Sequence, residues 1–309
     1  MSTQTQINSR MSAVDISLLL ILSVLWGGSF FFFELLLEQW KPFTIVALRV
    51  GIASIVLWTI LLARNTTLPK TGKAWIALIV VAILNNAVPF SLIVWGQTQI
   101  TGGLSSILNA TTPFFTILVA GALLADERMS RDKLIGVALG VFGIVVMIGP
   151  DVLLGGLRSG SVLGQFAVVM AAISYAFAGV WSRQFKSMGI TPLVIAAAQT
   201  FFATLMLLPA AIYFESPIVD LVSAGADTWL TMACLAVFST ALAYLIYFKL
   251  IHSAGATNAS LVTFLIPISA ILLGIIFLSE PFTVPQAIGM VLIGLGLLII
   301  DGRLLKRSS

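Results

Sequence analysis

Runs of about twenty apolar residues, each cut short by a polar or glycine-rich stretch, recur along the whole chain. They predict ten helices, at 14–37, 43–63, 74–95, 99–124, 132–150, 160–183, 191–213, 227–249, 256–278 and 283–301. A helix of roughly 20 residues at 1.5 Å per residue matches the ~30 Å hydrocarbon core of a bilayer, so these runs read as membrane spans. The interruptions are Lys70–Lys73, Asp126–Lys133, Gly155–Gly160, Arg183–Gly189 and Glu215–Asp227. Only the uncharged stretch Gly96–Gly103 separates the third run from the fourth.

The pattern repeats itself. Trp26 answers Tyr175, Pro42 answers Pro192, Arg49 answers Gln199, Pro113 answers Pro267, Glu127 answers Glu280 and Gly136 answers Gly289, at an offset of about 150 residues. The chain divides near Asp151–Ser161 into a first repeat, residues 14–150, and a second, residues 160–302. Each repeat holds five spans, and five is odd, so tandem copies must cross the bilayer in opposite senses. The expected fold is an all-α integral membrane protein of ten transmembrane helices in two inverted five-helix repeats. Secondary transporters use this design and place a substrate site between the repeats near the midplane.

Composition and charge sharpen the picture. Hydrophobic residues make up 59% of the chain and charged residues 9%, against roughly a quarter charged in soluble domains, so lipid must cover the surface. With a cytoplasmic N-terminus, the inner side collects Arg10, Arg64, Lys70, Lys73, Arg128, Arg131, Lys133, Arg183, Lys186, Lys249, Arg303, Lys306 and Arg307. The outer side receives only Lys41 and Arg158, which predicts both termini on the cytoplasmic side of a bacterial inner membrane. The first apolar run is too long for a signal-peptide core and reads as a retained helix.

One cysteine, Cys234, and one histidine, His252, predict no metal site and no intrachain disulfide. No phosphate-binding Gly-x4-Gly-Lys-Ser/Thr loop occurs, so ATP is not the direct energy source. No nucleophile–base pair lies within a span, so an intramembrane enzyme is disfavoured. No cofactor is expected.

Polar side chains deep in a span need partners or a wet cavity, so they mark a pathway. Asn85, Asn86, Pro89 and Ser91 fall in span three; Ser105, Ser106, Asn109, Thr111, Thr112 and Pro113 in span four. Their counterparts are Ser239 and Thr240 in span eight, with Asn258, Ser260, Thr263 and Pro267 in span nine. Pro89, Pro113 and Pro267 are candidate kinks; Pro113 would free the carbonyl of Asn109 and Pro267 that of Thr263. Trp40, Trp75 and Trp229 read as interface anchors. Trp26, Trp95, Tyr175, Trp181, Tyr244 and Tyr247 lie deeper and could stack on a substrate, with Trp26 and Tyr175 facing each other across the pseudo-twofold axis. Arg49 lies about seven residues into span two, roughly 10 Å deep, with Glu34 at similar depth on span one. The pair predicts an ion pair pinning the hairpin, a snorkelling arginine, an arginine that binds a substrate carboxylate, or proton coupling through Glu34. The cavity candidates are therefore Trp26, Arg49, Asn85, Asn86, Trp95, Asn109, Thr112, Tyr175, Ser239, Tyr244 and Thr263.

Several of these residues carry a family resemblance. Leu25-Trp26-Gly27-Gly28-Ser29-Phe30 and Ala47-Leu48-Arg49 resemble the first two helices of the drug/metabolite transporter superfamily. So do Ser105 to Pro113 followed by Asp126-Glu127-Arg128 and Gly136, and again Ala259 to Pro267 followed by Ser279-Glu280-Pro281, Gln286 and Gly289. This resembles the ten-helix branch built from two EamA-type repeats, and the likeness runs from about residue 15 to 302. It implies a permease exporting small metabolites such as amino acids or related zwitterions by alternating access. Small multidrug pumps of the superfamily carry a glutamate deep in their first helix; Leu20 to Trp26 holds no carboxylate here, which weakens efflux of lipophilic cations as the alternative. A non-transporting receptor or assembly protein is a further alternative. The expected partners are a small-molecule substrate and the lipid bilayer, with no nucleic acid. Proton coupling, and the choice between monomer and homodimer, stay open.

Overall fold

The computed structural model describes residues 11–123, 131–148, 160–254, 259 and 261–301. Helix α1 spans Ala13–Leu37, α2 Pro42–Ala63, α3 Gly72–Gln97 and α4 Gly102–Leu123. Helices α5 (Arg131–Ile148), α6 (Gly160–Ser182) and α7 (Pro192–Glu215) follow. The last three are α8 (residues 226–254), α9 (Val262–Leu278) and α10 (Val284–Asp301). Helices α1–α4 and α6–α8 supply apolar spans of 22 to 27 residues, whereas the apolar stretches of α5, α9 and α10 are shorter. Asp126–Arg128, Asn258, Ser260 and the repeat joint from Asp151 to Ser159 lie outside the described residues.

Local sequence sets the ends. Ser12 caps α1 reciprocally with Asp15: the Asp15 N–H donates to Ser12 Oγ at 3.1 Å and the Ser12 N–H to Asp15 Oδ2 at 3.1 Å. Thr71 and Thr101 cap α3 and α4, the latter ending the soft Gly96–Gly103 stretch. Pro42 and Pro192, equivalent in the repeat, each open a helix, where a missing N–H costs nothing.

Packing carries the same symmetry. Equivalent helices meet on the axis, α2 against α7 and α5 against α10, while α1 packs on α9 as α6 packs on α4. The α5–α10 seam is built from small residues: a Cβ on Gly296 would sit 2.6 Å from the Gly136 carbonyl, and one on Gly143 3.0 Å from that of Gly289. Glycine lets these backbones touch within one chain. Ile55, Phe142, Leu205 and Ile276 point outward, an apolar surface suited to lipid.

One anchor assignment needs correction. Trp40 is 2% exposed, donates its indole N–H to the Asp220 carbonyl at 3.3 Å and packs edge-on against Trp229 at 5.0 Å. The short helix Ile218–Ser223 after α7 covers it, so it joins the repeats instead of anchoring to the interface. Further bonds tie the same end of the bundle. Glu215 at the end of α7 accepts from the Phe43 and Thr44 N–H groups at 2.8 and 2.7 Å, capping α2.

Candidate functional site

Between the repeats lies a cavity of about 290 Å³, at the lower edge of the usual small-molecule range. Seven helices build its wall. Trp26, Ser29, Phe30 and Phe33 come from α1, Arg49 from α2, and Asn85, Phe90 and Ile93 from α3. Asn109, Ala110 and Thr112 come from α4, Tyr175 from α6, Ser239, Thr240, Tyr244 and Tyr247 from α8, and Thr263 and Ile266 from α9.

The polar part of this wall sits where the helices are irregular. Helix α3 widens into a π-helical turn at Ile83–Ala87, and α8 does so at Val237–Leu242, the corresponding place in the second repeat. An extra residue in a turn turns side chains inward that an α-helix would bury elsewhere, and such turns gather at functional sites. Helix α4 breaks into Gly102–Asn109 and Thr112–Leu123, with Pro113 in the first turn of the second piece. The Asn109 carbonyl, which was expected to be open to substrate, accepts from Thr112 Oγ1 at 2.7 Å instead. Pro89 likewise follows the π turn of α3, whereas Pro267 lies inside an unbroken α9.

Arg49 dominates the electrostatics. It is 4% exposed, its Nε donates to Thr240 Oγ1 at 2.8 Å, and one Nη approaches Ser29 Oγ at 3.4 Å. Its guanidinium lies over the Phe90 ring at 3.9 Å and near the Phe33 ring at 5.0 Å. The expected pair with Glu34 does not form. Glu34 is five residues beyond Ser29, about 140° around α1, and its carboxylate accepts from Gln97 Nε2 at 3.0 Å. Arg49 thus has no carboxylate partner among the described residues, and a guanidinium carries five N–H donors. Those left over face the cavity, which is lined by no acidic residue. Two acceptors on the same wall, Asn109 Oδ1 and Ser239 Oγ, are buried without a hydrogen-bond partner.

Of the residues selected from sequence, Trp26, Arg49, Asn85, Asn109, Thr112, Tyr175, Ser239, Tyr244 and Thr263 line this one cavity. Asn86 stands just behind the wall, fully buried, its Nδ2 donating to Tyr244 Oη at 3.4 Å, while Asn85 Nδ2 donates to Gln199 Oε1 at 3.1 Å. Trp95 does not belong. It is 43% exposed on the outside of α3. An ideal helix would put Trp95 about 80° from Asn85, but the extra residue of the π turn adds about 100° and carries it to the opposite face. Trp26 and Tyr175 both reach the cavity yet pair elsewhere, Trp26 with Tyr247 at 5.2 Å and Tyr175 with Phe90 at 6.4 Å. Sequence reasoning passed over Ser29, Phe30, Phe33, Phe90, Ile93, Ala110 and Ile266. Ser29, Phe30 and Phe33 share a helix face with Trp26 at i+3, i+4 and i+7, a spacing that could have found them.

Comparison with known proteins agrees with this architecture. The EamA-like transporter family matches the chain twice, over residues 14–149 and 162–301. The chain belongs to that family. It is 29% identical over 277 residues to protein PecM of Dickeya dadantii, covering 89% of this chain and 88% of that one. It is 26% identical over 261 residues to YedA of Escherichia coli K12, called an uncharacterized inner membrane transporter, covering 83% and 80%. A crystal structure at 19% identity superposes with a TM-score of 0.66 over 97% of this chain and all of that one, which supports the fold. The family member is a multi-pass membrane transporter with a small-molecule substrate, and no catalytic activity is indicated.

Proposed function

We propose that this EamA-family transporter exports small carboxylate-bearing metabolites, amino acids or related zwitterions, across a bacterial inner membrane by alternating access. One observation carries the reading: Arg49 stands in the cavity wall with no counter-ion among the described residues, over two aromatic faces, with N–H donors left over. A buried guanidinium is costly unless an anion joins it, and its planar fork fits a carboxylate. The other polar residues of the wall, Asn85, Asn109, Thr112 and Ser239, suit an ammonium on the same molecule. The aromatic wall of Trp26, Tyr175, Tyr244 and Tyr247 suits an apolar body. A lipophilic cation finds a like charge and no carboxylate here, which disfavours multidrug efflux.

The inverted pairing of α1 with α9 and of α6 with α4 supports rocking of the repeats about the cavity. The distribution of Lys and Arg between the loops supports cytoplasmic termini. The test is counterflow in proteoliposomes with labelled amino acids, comparing wild type with Arg49→Lys and Arg49→Met. Saturable counterflow that falls at least tenfold in Arg49→Lys supports the proposal. Undiminished counterflow in both variants refutes it.

A further inference from the structure

About one helical turn from the cavity, a second polar cluster closes the end of the bundle that carries the α1–α2, α3–α4, α7–α8 and α9–α10 connections. The first turn of α4 presents two consecutive glycine N–H groups, and both donate to Glu280 from the α9–α10 connection, Gly102 to Oε1 at 3.0 Å and Gly103 to Oε2 at 3.1 Å. Glu34 of α1 comes to Gly102 as well. A Cβ on Gly102 would lie 3.4 Å from Glu34 Oε2, and one on Gly103 3.1 Å from Glu280 Oε2. A side chain at 103 would crowd Glu280, so glycine there eases the approach of this carboxyl to the helix end. Gln97 bridges the cluster to the cavity wall, since its Nε2 donates to Glu34 Oε2 at 3.0 Å and to the Phe30 carbonyl at 2.9 Å.

Among the described residues, no cation balances the two acids. The charged groups facing Glu34 are Glu280 and Glu38. On the helices packed against α1, Arg49 turns to Ser29 and Thr240, Lys41 donates to the Glu215 carbonyl, Asp227 is exposed, and Lys249 acts on Asp15 at the opposite end. Glu34 feels the charge of Glu280, so whether Glu34 holds a proton depends on how closely the two are pressed together. Glu280 belongs to the second repeat and Glu34 to the first, so any rocking of the repeats changes that closeness.

We propose that Glu34, facing Glu280 across the first turn of α4, is a proton-binding site coupled to closure of this end of the bundle. With both carboxylates charged, their repulsion pushes the repeats apart here. One proton from the adjoining water neutralises Glu34, which removes the repulsion and lets the end close with Glu280 seated on the two amides. With the cavity then facing the other side, the proton leaves Glu34 there past Gln97 and the cavity wall, and the recharged pair reopens this end. Resting on the transporter reading above, this makes the carrier a proton antiporter.

Two measurements test it. In proteoliposomes, counterflow of labelled amino acids at equal pH on both sides reports binding and exchange, and accumulation driven by an imposed pH gradient reports coupling. The expected result is that Glu34→Gln, which still accepts from Gln97, keeps counterflow within twofold and loses gradient-driven accumulation at least tenfold. Glu34→Asp restores part of it. Full gradient-driven accumulation in Glu34→Gln, or exchange by wild type that ignores the gradient, overturns the proposal. Infrared titration of the carboxyl C=O bands needs no substrate: the band missing from Glu34→Gln must change its midpoint in Glu280→Gln. An unmoved band overturns the proposal. A moved band with no counterflow by wild type would keep the proton site and sink the amino-acid reading alone.

Discussion

Replacing Arg49 separates a binding arginine from a structural one. Its Nε bond to Thr240 at 2.8 Å and its seat on Phe90 at 3.9 Å hold the guanidinium so that the remaining N–H groups face the cavity. A bidentate carboxylate would take two charge-assisted hydrogen bonds, each contributing about 1.5–3 kcal/mol. Lysine at 49 keeps the charge but offers a point donor, so one of the two is lost. At 1.4 kcal/mol per decade this weakens substrate affinity by about 10- to 150-fold. Arg49→Met removes an unpaired buried charge and the several kcal/mol its desolvation costs. Thr240 keeps its own bond to the Leu235 carbonyl at 3.1 Å, so little is left orphaned. The methionine variant therefore melts at or above the wild-type temperature and does not transport. Half-saturation in counterflow and thermal unfolding in detergent measure the two effects. A methionine variant that melts many degrees lower, beside a lysine variant with wild-type half-saturation, would show that Arg49 holds the bundle together and does not bind.

Other consequences follow from the packing. Gly296→Ala places a methyl 2.6 Å from the Gly136 carbonyl, and overpacking of this kind costs roughly 1–3 kcal/mol, read as a lower unfolding temperature with little change in half-saturation. Glu215→Ala orphans the Phe43 and Thr44 amides and the Thr44 hydroxyl bond, and losing such a cap costs about 0.5–2 kcal/mol, again in thermal unfolding. In a Cys234→Ser background, a membrane-impermeant maleimide should label a cysteine at Glu38 in intact cells and leave one at Arg64 unlabelled. The reverse pattern would invert the topology.

The repeat, the ten spans and most of the cavity wall were legible in sequence for one physical reason. Polar groups in lipid are confined to helix middles that face each other, so Asn109, Ser239 and Thr263 announce the interior wherever the helices are rotated. Azimuth was not legible. Glu34 and Arg49 share a depth, but about 140° of helix separates Glu34 from the face that meets Arg49. Trp95 failed for a related cause, because the π turn at Ile83–Ala87 shifts the phase of everything after it, and nothing in Asn85–Asn86 announces that turn. Trp40 was misplaced because the cover over it comes from Ile218–Ser223, 180 residues away in sequence.

The most direct test of the central claim is a binding titration on purified wild-type protein, using an amino acid active in counterflow, its amide and its decarboxylated amine. The account predicts that the amino acid protects against thermal unfolding, that the two analogues without a carboxylate do so at least tenfold more weakly, and that Arg49→Met abolishes the difference. Equal protection by all three ligands, unchanged in Arg49→Met, would contradict it.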